Sequence, residues 1–270
     1  MTRQLANRPA SREGHLDAPS GKLFLVPNTL DFGTPDQASD LHELLPLVVI
    51  RTAARLTRWV AESAKSTRAF LKRVDAVVPL ALPLQAITVI ELPRPQKGSP
   101  TTAVAPLEPL LAPALQGHDI GLISEAGLPA VADPGTALVL AAHGLGIRVV
   151  ALPGASSLLL AVAASGLNGQ SFAFVGYLPV GATERAARIR ELESLSRRLH
   201  QTQLMIETPY RNEALLAALL AHLRPATHLS VGCGLTLPNG FTRTGSVASW
   251  KSQPSAMPAD VPAVFSLLAG

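Results

Sequence analysis

The stretch Asp119–Leu167, DIGLISEAGLPAVADPGTALVLAAHGLGIRVVALPGASSLLLAVAASGL, decides how the chain folds, because it holds two strand-to-helix turns in succession. Ile120, Leu122 and Ile123 form a short apolar run that stops at Ser124-Glu125-Ala126-Gly127. Asp133-Pro134-Gly135 then places an N-cap type residue before a proline, which predicts a helix from about Thr136 to His143 closed by Gly144 and Gly146. Ile147 to Leu152 is a β-branched run of strand type. Pro153-Gly154-Ala155-Ser156-Ser157 again sets glycine and capping hydroxyls before an apolar helix, about Leu158 to Ser165, stopped by Gly166. Strand, crossover helix and strand with short connections make a βαβ unit, hence parallel strands with helices on both faces. The continuous apolar character of both strands predicts that each is buried and that their loops lie on neighbouring strands.

A sheet of this kind places its ligand beyond the carboxyl ends of its strands, where glycine and small residues let a ligand approach the backbone. Gly127, Gly135 and Gly154 all fall there. Each alone is open to a second reading as a plain turn glycine. Neither loop is a GxGxxG or a GxxxxGK[ST], so Rossmann and P-loop readings are unsupported.

Outward from this stretch, 270 residues with 47% hydrophobic content suffice for two medium domains with sizeable cores. The expected division is a flexible arm over 1–20, an N-terminal α/β domain over 21–168 with a mostly parallel sheet, and a C-terminal α/β domain over 169–270 with a mixed sheet. Aromatic residues make up 4%, too few to advertise a surface of many stacked bases. A formal charge of +4 is compatible with a polyanionic partner and equally with mere solubility. The single cysteine, Cys233, excludes internal disulfides and a thiolate cluster, and reads as a small buried hydrophobe in a reducing cytoplasm. No apolar run reaches membrane-spanning length, and residues 1–20 lack the apolar centre of a signal peptide. The expectation is a soluble cytoplasmic protein.

Gly21 to Pro27 reads as a first strand ending at a Pro-Asn loop. Helices are expected over about Leu47–Leu56 and Lys65–Val74, with a short strand at Trp59–Glu62 between them. From Arg51 to Arg73 there are seven basic residues against one acid, Glu62, which is either a phosphate-tracking stripe or a solvated helix face. Residues Val77 to Pro109 are rich in proline and predict an extended surface loop, with one strand near Ala86–Glu91; near a cleft this could act as a lid. Farther on, a helix from about Thr183 to His200 carries Glu184/Arg188 and Glu193/Arg197 at self-supporting spacing. Strands are expected at Leu204–Ile206, Leu229–Gly232, Phe241–Val247 and Val261–Leu268, with a helix from Asn212 to Leu223 and a turn at Pro238-Asn239-Gly240.

The linked segments Ser124-Glu125-Ala126-Gly127-Leu128-Pro129, Asp133-Pro134-Gly135, Leu152-Pro153-Gly154-Ala155-Ser156-Ser157, Ala164-Ser165-Gly166-Leu167 and Phe174-Val175-Gly176-Tyr177-Leu178-Pro179 resemble the tetrapyrrole methylase superfamily. Within it the likeness is to the ribosomal RNA small-subunit methyltransferase I branch, and it runs from about Gly21 to the C-terminus. The resemblance implies two α/β domains with a cofactor cleft between them, S-adenosylmethionine (SAM) as methyl donor, and a homodimer. It implies a SAM pocket lined, chiefly through backbone groups, by Pro27, Ser124, Glu125, Ala126, Gly127, Pro129, Ala130, Val131, Pro153, Gly154, Ser156 and Ser157. Glu207-Thr208-Pro209-Tyr210-Arg211 resembles the branch's Glu-Ser-Pro-His-Arg loop, which implies Glu207 as proton acceptor with Tyr210 and Arg211 positioning the substrate. Glu207 and Arg211 could equally form a structural pair.

The chain also departs from that branch. It has Glu125, Leu128 and Ala132 where the branch has Asp, Thr and Ser, and Gly234-Leu235-Thr236-Leu237 where it has Glu-Leu-Thr-Lys. Glu62-Ser63-Ala64-Lys65-Ser66-Thr67-Arg68 resembles a Glu-x-x-Lys-x-x-Arg segment of a paralogous group, in place of Glu-Asp-Thr-Arg. A sister subgroup is therefore expected. Methyl transfer is an in-line displacement that alignment alone can accelerate, and the scattered histidines show no ligand spacing, so no metal is expected. The leading expectation is 2′-O-methylation of RNA ribose. The alternatives are a methyltransferase of a tetrapyrrole-like small molecule and a SAM-binding interaction protein that has lost catalysis.

Overall fold

The computed structural model describes residues 20–31, 40–93 and 106–270. The arm expected over 1–20 therefore lies, except for Ser20, outside the described residues, as does 94–105 of the proline-rich segment and any lid it would form.

The first half alternates strand and helix: β1 (Lys22–Leu25), α1 (Leu41–Leu44), α2 (Leu47–Arg55), β2 (Arg58–Ala61), α3 (Ala64–Val77), β3 (Thr88–Glu91), α4 (Glu108–Leu115), β4 (Ile120–Ile123), α5 (Thr136–Gly144), β5 (Arg148–Ala151) and α6 (Ser157–Ser165). The strands make one parallel sheet in the order β3-β2-β4-β1-β5. β4 and β5 are thus not neighbours: β1 lies between them, with Leu23 opposite both Ile120 and Val149. β4 is buried along its whole length, whereas β5 is the sheet edge and is half-exposed. Both strands read alike in sequence because an edge strand that still faces α5 keeps its β-branched residues.

Helices cover both faces. On one, α2 and α3 bring Ile50, Leu56 and Phe70 against Trp59; on the other, α4 and α5 bring Leu111 and Leu138 against Leu23 and Leu122. Trp59 meets Phe70 edge to face at 6.4 Å and lies across Gly121, where a Cβ would fall 2.6 Å from the indole. Only glycine permits that layer to close at this point. α3 is capped by Ser63, whose side chain accepts from Ser66 N–H.

The second half holds β6 (Phe172–Phe174), α7 (Ala182–Leu199), β7 (Thr202–Glu207), α8 (Asn212–His222), β8 (His228–Cys233), β9 (Phe241–Ser246), α9 (Val247–Ser252) and β10 (Ala263–Leu268). Its sheet runs β6-β7-β10-β8-β9 and is mixed, parallel only between β6 and β7. The turns around Pro238-Asn239-Gly240 join β8 to β9 through Leu237 N–H to Gly234 O and Gly240 N–H to Leu237 O. α9 has no counterpart in the sequence reading, since its short VASWKS run continues the β9 pattern; Ser246 caps it and Trp250 anchors it through an indole N–H donated to Leu229 O at 2.9 Å.

The charge pairs expected within α7 do not form. Glu193 is buried and instead accepts from Arg224 N–H and the Thr227 hydroxyl, while Arg197 donates to the carbonyl of Gly270. Arg188 pairs with Glu191 at 2.7 Å. Tertiary partners at the helix base outcompete the i,i+4 pairs, each of which offers about 0.5 kcal/mol at most. Cys233 is buried, and burial pushes its thiol pKa up.

α6 leaves the parallel sheet after β5 and packs on the other one. Leu158, Ala161 and Val162 lie against Leu204 and Val264, so the helix bridges the two sheets at the cavity described next.

Candidate functional site

The carboxyl ends of β2, β4, β1 and β5 all point to one edge of the parallel sheet. There a cavity of about 290 Å³, at the lower end of the range for small-molecule sites, opens between the two sheets. The parallel sheet supplies Leu30 after β1, Glu62 after β2, Glu125 to Leu128 and Val131 to Asp133 after β4, and Ser156 to Leu158 at the start of α6. The opposite wall is Tyr177 after β6, Ile206 and Glu207 on β7, Gly232, Gly234 and Leu235 around the end of β8, and Pro262, Ala263 and Val264 at the start of β10.

The loop after β4 is held by the loop after β1. Asn28 pairs its backbone with Gly127 and donates its side-chain amide to Ser124 O at 3.2 Å and Glu125 O at 2.9 Å. Its neighbours Thr29 and Asp31 are buried and tied to each other at 2.6 Å, and Asp31 pairs with Arg73 of α3 at 2.9 Å. Gly127, Ala130, Ala132 and Gly135 all have positive φ, two of them non-glycine residues at 65° and 66°. Left-handed alanines cost about 1 kcal/mol each and persist where surrounding contacts over-determine them, a pattern that concentrates at functional loops.

The loop after β5 is seated by contact with the loop after β1: a Cβ on Gly154 would lie 2.3 Å from Pro27. α6 then begins at Ser156, in N-cap geometry but without a side-chain cap bond. Ser156, Ser157 and Leu158 line the cavity at this end of the helix, which carries its positive partial charge.

Asp133 sits differently from its sequence expectation. The cap position of α5 is Gly135, at φ 132°, which frees the Asp133 carboxyl to face the cavity. There its pKa is raised from 3.8 to about 6, first by burial, then by Glu62, with Glu125 adding and the Ser124 hydroxyl opposing. Glu62 is fixed by accepting the N–H of Glu125 at 3.0 Å. Across the cavity the Tyr177 phenol is pushed up by burial and then by Asp133, Glu207 and Glu62.

Of the residues expected to hold a cofactor, the structure brings Glu125, Ala126, Gly127, Val131, Ser156 and Ser157 to the cavity. Pro27, Ser124, Pro129, Ala130, Pro153 and Gly154 do not line it; they shape the loops behind. Glu207 lines it, but its carboxylate is 2% exposed, pairs with Arg211 at 2.9 Å and accepts the N–H of Thr208 at 2.9 Å. Tyr210 is 75% exposed and, like Arg211, does not line the cavity. The sequence reading missed Glu62, Asp133 and Tyr177. Each stood inside a quoted motif, so motif position could have flagged them; only the folded geometry shows that they converge. Among the described residues no group of three His, Cys, Asp or Glu side chains is placed to hold a metal.

Residues 47–249 match the sequence profile of the family Tetrapyrrole (Corrin/Porphyrin) Methylases. Curated relatives include the Ribosomal RNA small subunit methyltransferase I of Mesorhizobium japonicum, 39% identical over 52% of this chain and 46% of that protein. The protein of the same name from Halalkalibacterium halodurans is 30% identical over 60% of this chain and 50% of that protein. The chain spans about half the length of these relatives. Among solved structures, Uroporphyrin-III C-methyl transferase from Thermus thermophilus complexed with S-adenyl homocysteine shares the fold at TM-score 0.51 and 19% identity, over 92% of this chain and 97% of that one. A conserved hypothetical protein from Aeropyrum pernix K1 does so at TM-score 0.56 and 17% identity, over 93% of this chain and 85% of that one.

Proposed function

Because this chain belongs to the Tetrapyrrole (Corrin/Porphyrin) Methylases family, we propose that it transfers a methyl group from S-adenosylmethionine, and that the acceptor is a ribose 2′-hydroxyl of RNA. The observation that carries the first part is the cavity at the carboxyl edge of the parallel sheet, where backbone of the Glu125–Asp133 loop and the open N-terminus of α6 converge. These groups fit the donor: a helix N-terminus suits its carboxylate, and loops of alanine and glycine leave room for backbone contacts. When bound, SAM supplies an activated methyl group on a sulfonium. The chain's own residues orient it and exclude water, and alignment is the main source of rate.

The acceptor reading rests on relatives named as ribosomal RNA methyltransferases that are 30–39% identical. The fold resemblance to a uroporphyrin enzyme is far lower in identity and speaks only for architecture. We assign Glu125, Ala126, Gly127, Val131, Ser156 and Ser157 to direct donor contact, with Pro27, Ser124, Pro129, Ala130, Pro153 and Gly154 supporting the loops. Glu207 remains the assigned proton acceptor, paired with Arg211, and Tyr210 and Arg211, which lie outside the cavity lining, are assigned to position the substrate. We further propose a domain division at 168/169, a cytoplasmic location and a homodimer. Among the described residues no helix is long and apolar enough to cross a membrane. Leu140 of α5 and Leu159 of α6 are 72% and 54% exposed, apolar surface that a second copy would cover.

Calorimetry of SAM and S-adenosylhomocysteine (SAH) tests the donor, with Gly127→Trp as the loop control. Transfer of labelled methyl to ribosomal RNA, with the product nucleoside identified, tests the acceptor. Saturable binding abolished by Gly127→Trp supports the reading, and absence of binding at millimolar ligand sinks it. Labelled RNA whose methyl group lies on a base rather than on ribose sinks the 2′-hydroxyl assignment.

A further inference from the structure

The cavity carries an unbalanced charge. Four carboxylates line it, those of Glu62, Glu125, Asp133 and Glu207, and no lysine, arginine or histidine does so among the described residues. Among the described residues only Glu207 has a cation of its own, Arg211 at 2.9 Å. Glu62 accepts a single backbone N–H, from Glu125, which fixes its position but supplies a dipole rather than a charge. The groups facing Asp133 are Glu62 from the end of β2, Glu125 and the Ser124 hydroxyl from its own loop, and Tyr177 from the loop after β6. None is cationic; burial first, and then the charge of Glu62, raise the pKa of the Asp133 carboxyl to about 6. Surplus negative charge in a half-buried space is relieved by a bound cation and aggravated by a bound phosphate. Binding of a neutral ligand leaves it as it was.

Resting on the methyl-donor reading above, we propose that Glu62 and Asp133 make the cavity selective for the positive charge of its ligand, favouring the sulfonium donor over its neutral thioether product. Transfer forms a C–O bond at the acceptor and breaks the C–S bond. The electron pair of that bond stays on sulfur, which becomes neutral, and the acceptor's proton passes to Glu207, the assigned proton acceptor. The attraction exerted by Glu62 and Asp133 is thereby lost as the reaction completes, so the same two residues that hold the donor favour release of the product. The same field keeps phosphates of a nucleic-acid substrate out of the cavity and confines them to the outer surface.

The test is calorimetric titration of the purified full chain with SAM and with SAH at pH 5, 6 and 7, repeated on Asp133→Asn and Glu62→Gln. A third ligand, the analogue with a protonated amine in place of the methyl sulfonium, reports charge without a transferable methyl. In the wild type the preference for SAM over SAH is expected to be roughly tenfold greater at pH 7 than at pH 5, because Asp133 is mostly neutral at the lower pH. The amine analogue should follow SAM. Asp133→Asn should hold the preference at its pH 5 value throughout, and Glu62→Gln should reduce it and move its midpoint to lower pH. A preference that does not change with pH in the wild type, or that survives in Asp133→Asn, overturns the inference while leaving the donor reading intact. Failure of the wild type to bind any of the three overturns both. The wild-type pH series stands on its own if a variant does not fold.

Discussion

Replacing Asp133 by asparagine is predicted to stabilise the free protein above pH 6 and to leave it unchanged near pH 4. In the folded chain the carboxyl holds its proton to about pH 6 against 3.8 in the ordinary state. The folded state therefore binds this proton more tightly than the unfolded one. As pH rises from about 4 to 6 the unfolded chain gives it up first, stability falls through that window, and it stays lower above it. The full shift corresponds to about 3 kcal/mol, but the side chain is only part-buried and lines an open cavity, and solvent screening reduces the effect to about 1 kcal/mol. Asparagine keeps the shape and removes the charge, so this penalty is released. For a chain of this size about 1 kcal/mol corresponds to roughly 2–4 °C in Tm. Scanning calorimetry at pH 4, 5, 6 and 7.5 should show the two proteins melting together at pH 4 and the variant ahead by that margin at pH 7.5. A variant that melts lower at pH 7.5, or by the same margin at every pH, would refute the reasoning.

The other positions follow from contacts already described. Arg211→Ala leaves the Glu207 carboxylate, 2% exposed, without its cation, and should cost about 3 kcal/mol in urea unfolding; adding Glu207→Gln should recover most of it. Gly154→Ala sets a methyl 2.3 Å from Pro27 and should cost at least about 1–3 kcal/mol in the same assay, with a loss of donor affinity as the two loops part. Ala130→Gly should gain about 0.5–1 kcal/mol, the reverse of glycine's usual effect, because Ala130 holds φ at 65°; a loss of stability would show that the left-handed conformation is not maintained in solution.

How much of this was legible in the sequence depends on the kind of information needed. The strands and helices of the central stretch followed from local signals: Gly146 and Gly166, both at positive φ, close their helices near where expected, and the parallel and mixed characters of the two sheets followed from connection lengths and strand count. The order of strands did not, because nothing local to β4 or β5 encodes that β1 inserts between them; that contact lies 97 residues away, as in Lys22 N–H to Asp119. The site shows the same division. Gly127 and Ser156, proposed to act through their backbone, line the cavity where loop position alone put them. Asp133 was read as a helix cap because Asp-Pro-Gly permits that role, and only the φ of 132° at Gly135 shows that the cap falls two residues later. Tyr177 and Glu62 belong to different halves of the chain, and their approach to Asp133 is a property of how the two sheets face each other.

The basic stretch Arg51–Arg73 takes on a different meaning in the folded chain. Seven basic residues in sequence looked like a phosphate track, but Arg55 pairs with Asp119 at 2.6 Å and lies over the Phe24 ring, Arg68 donates to Leu84 O, and Arg73 pairs with Asp31. Arg51, Lys65 and Lys72 are exposed. On the proposed reading RNA phosphates meet such exposed cations and are excluded from the acidic cavity, so two dependences separate. Each phosphate contact to a single strand contributes a slope of about −0.7 in log K against log salt, and three contacts give about −2. RNA affinity measured from 50 to 300 mM salt should show that slope at pH 7, and Asp133→Asn should leave it unchanged while altering the donor preference. A slope near −5 would mean that all seven cations reach phosphate, that the pairs of Arg55, Arg68 and Arg73 open on binding, and that the stretch is a nucleic-acid track after all.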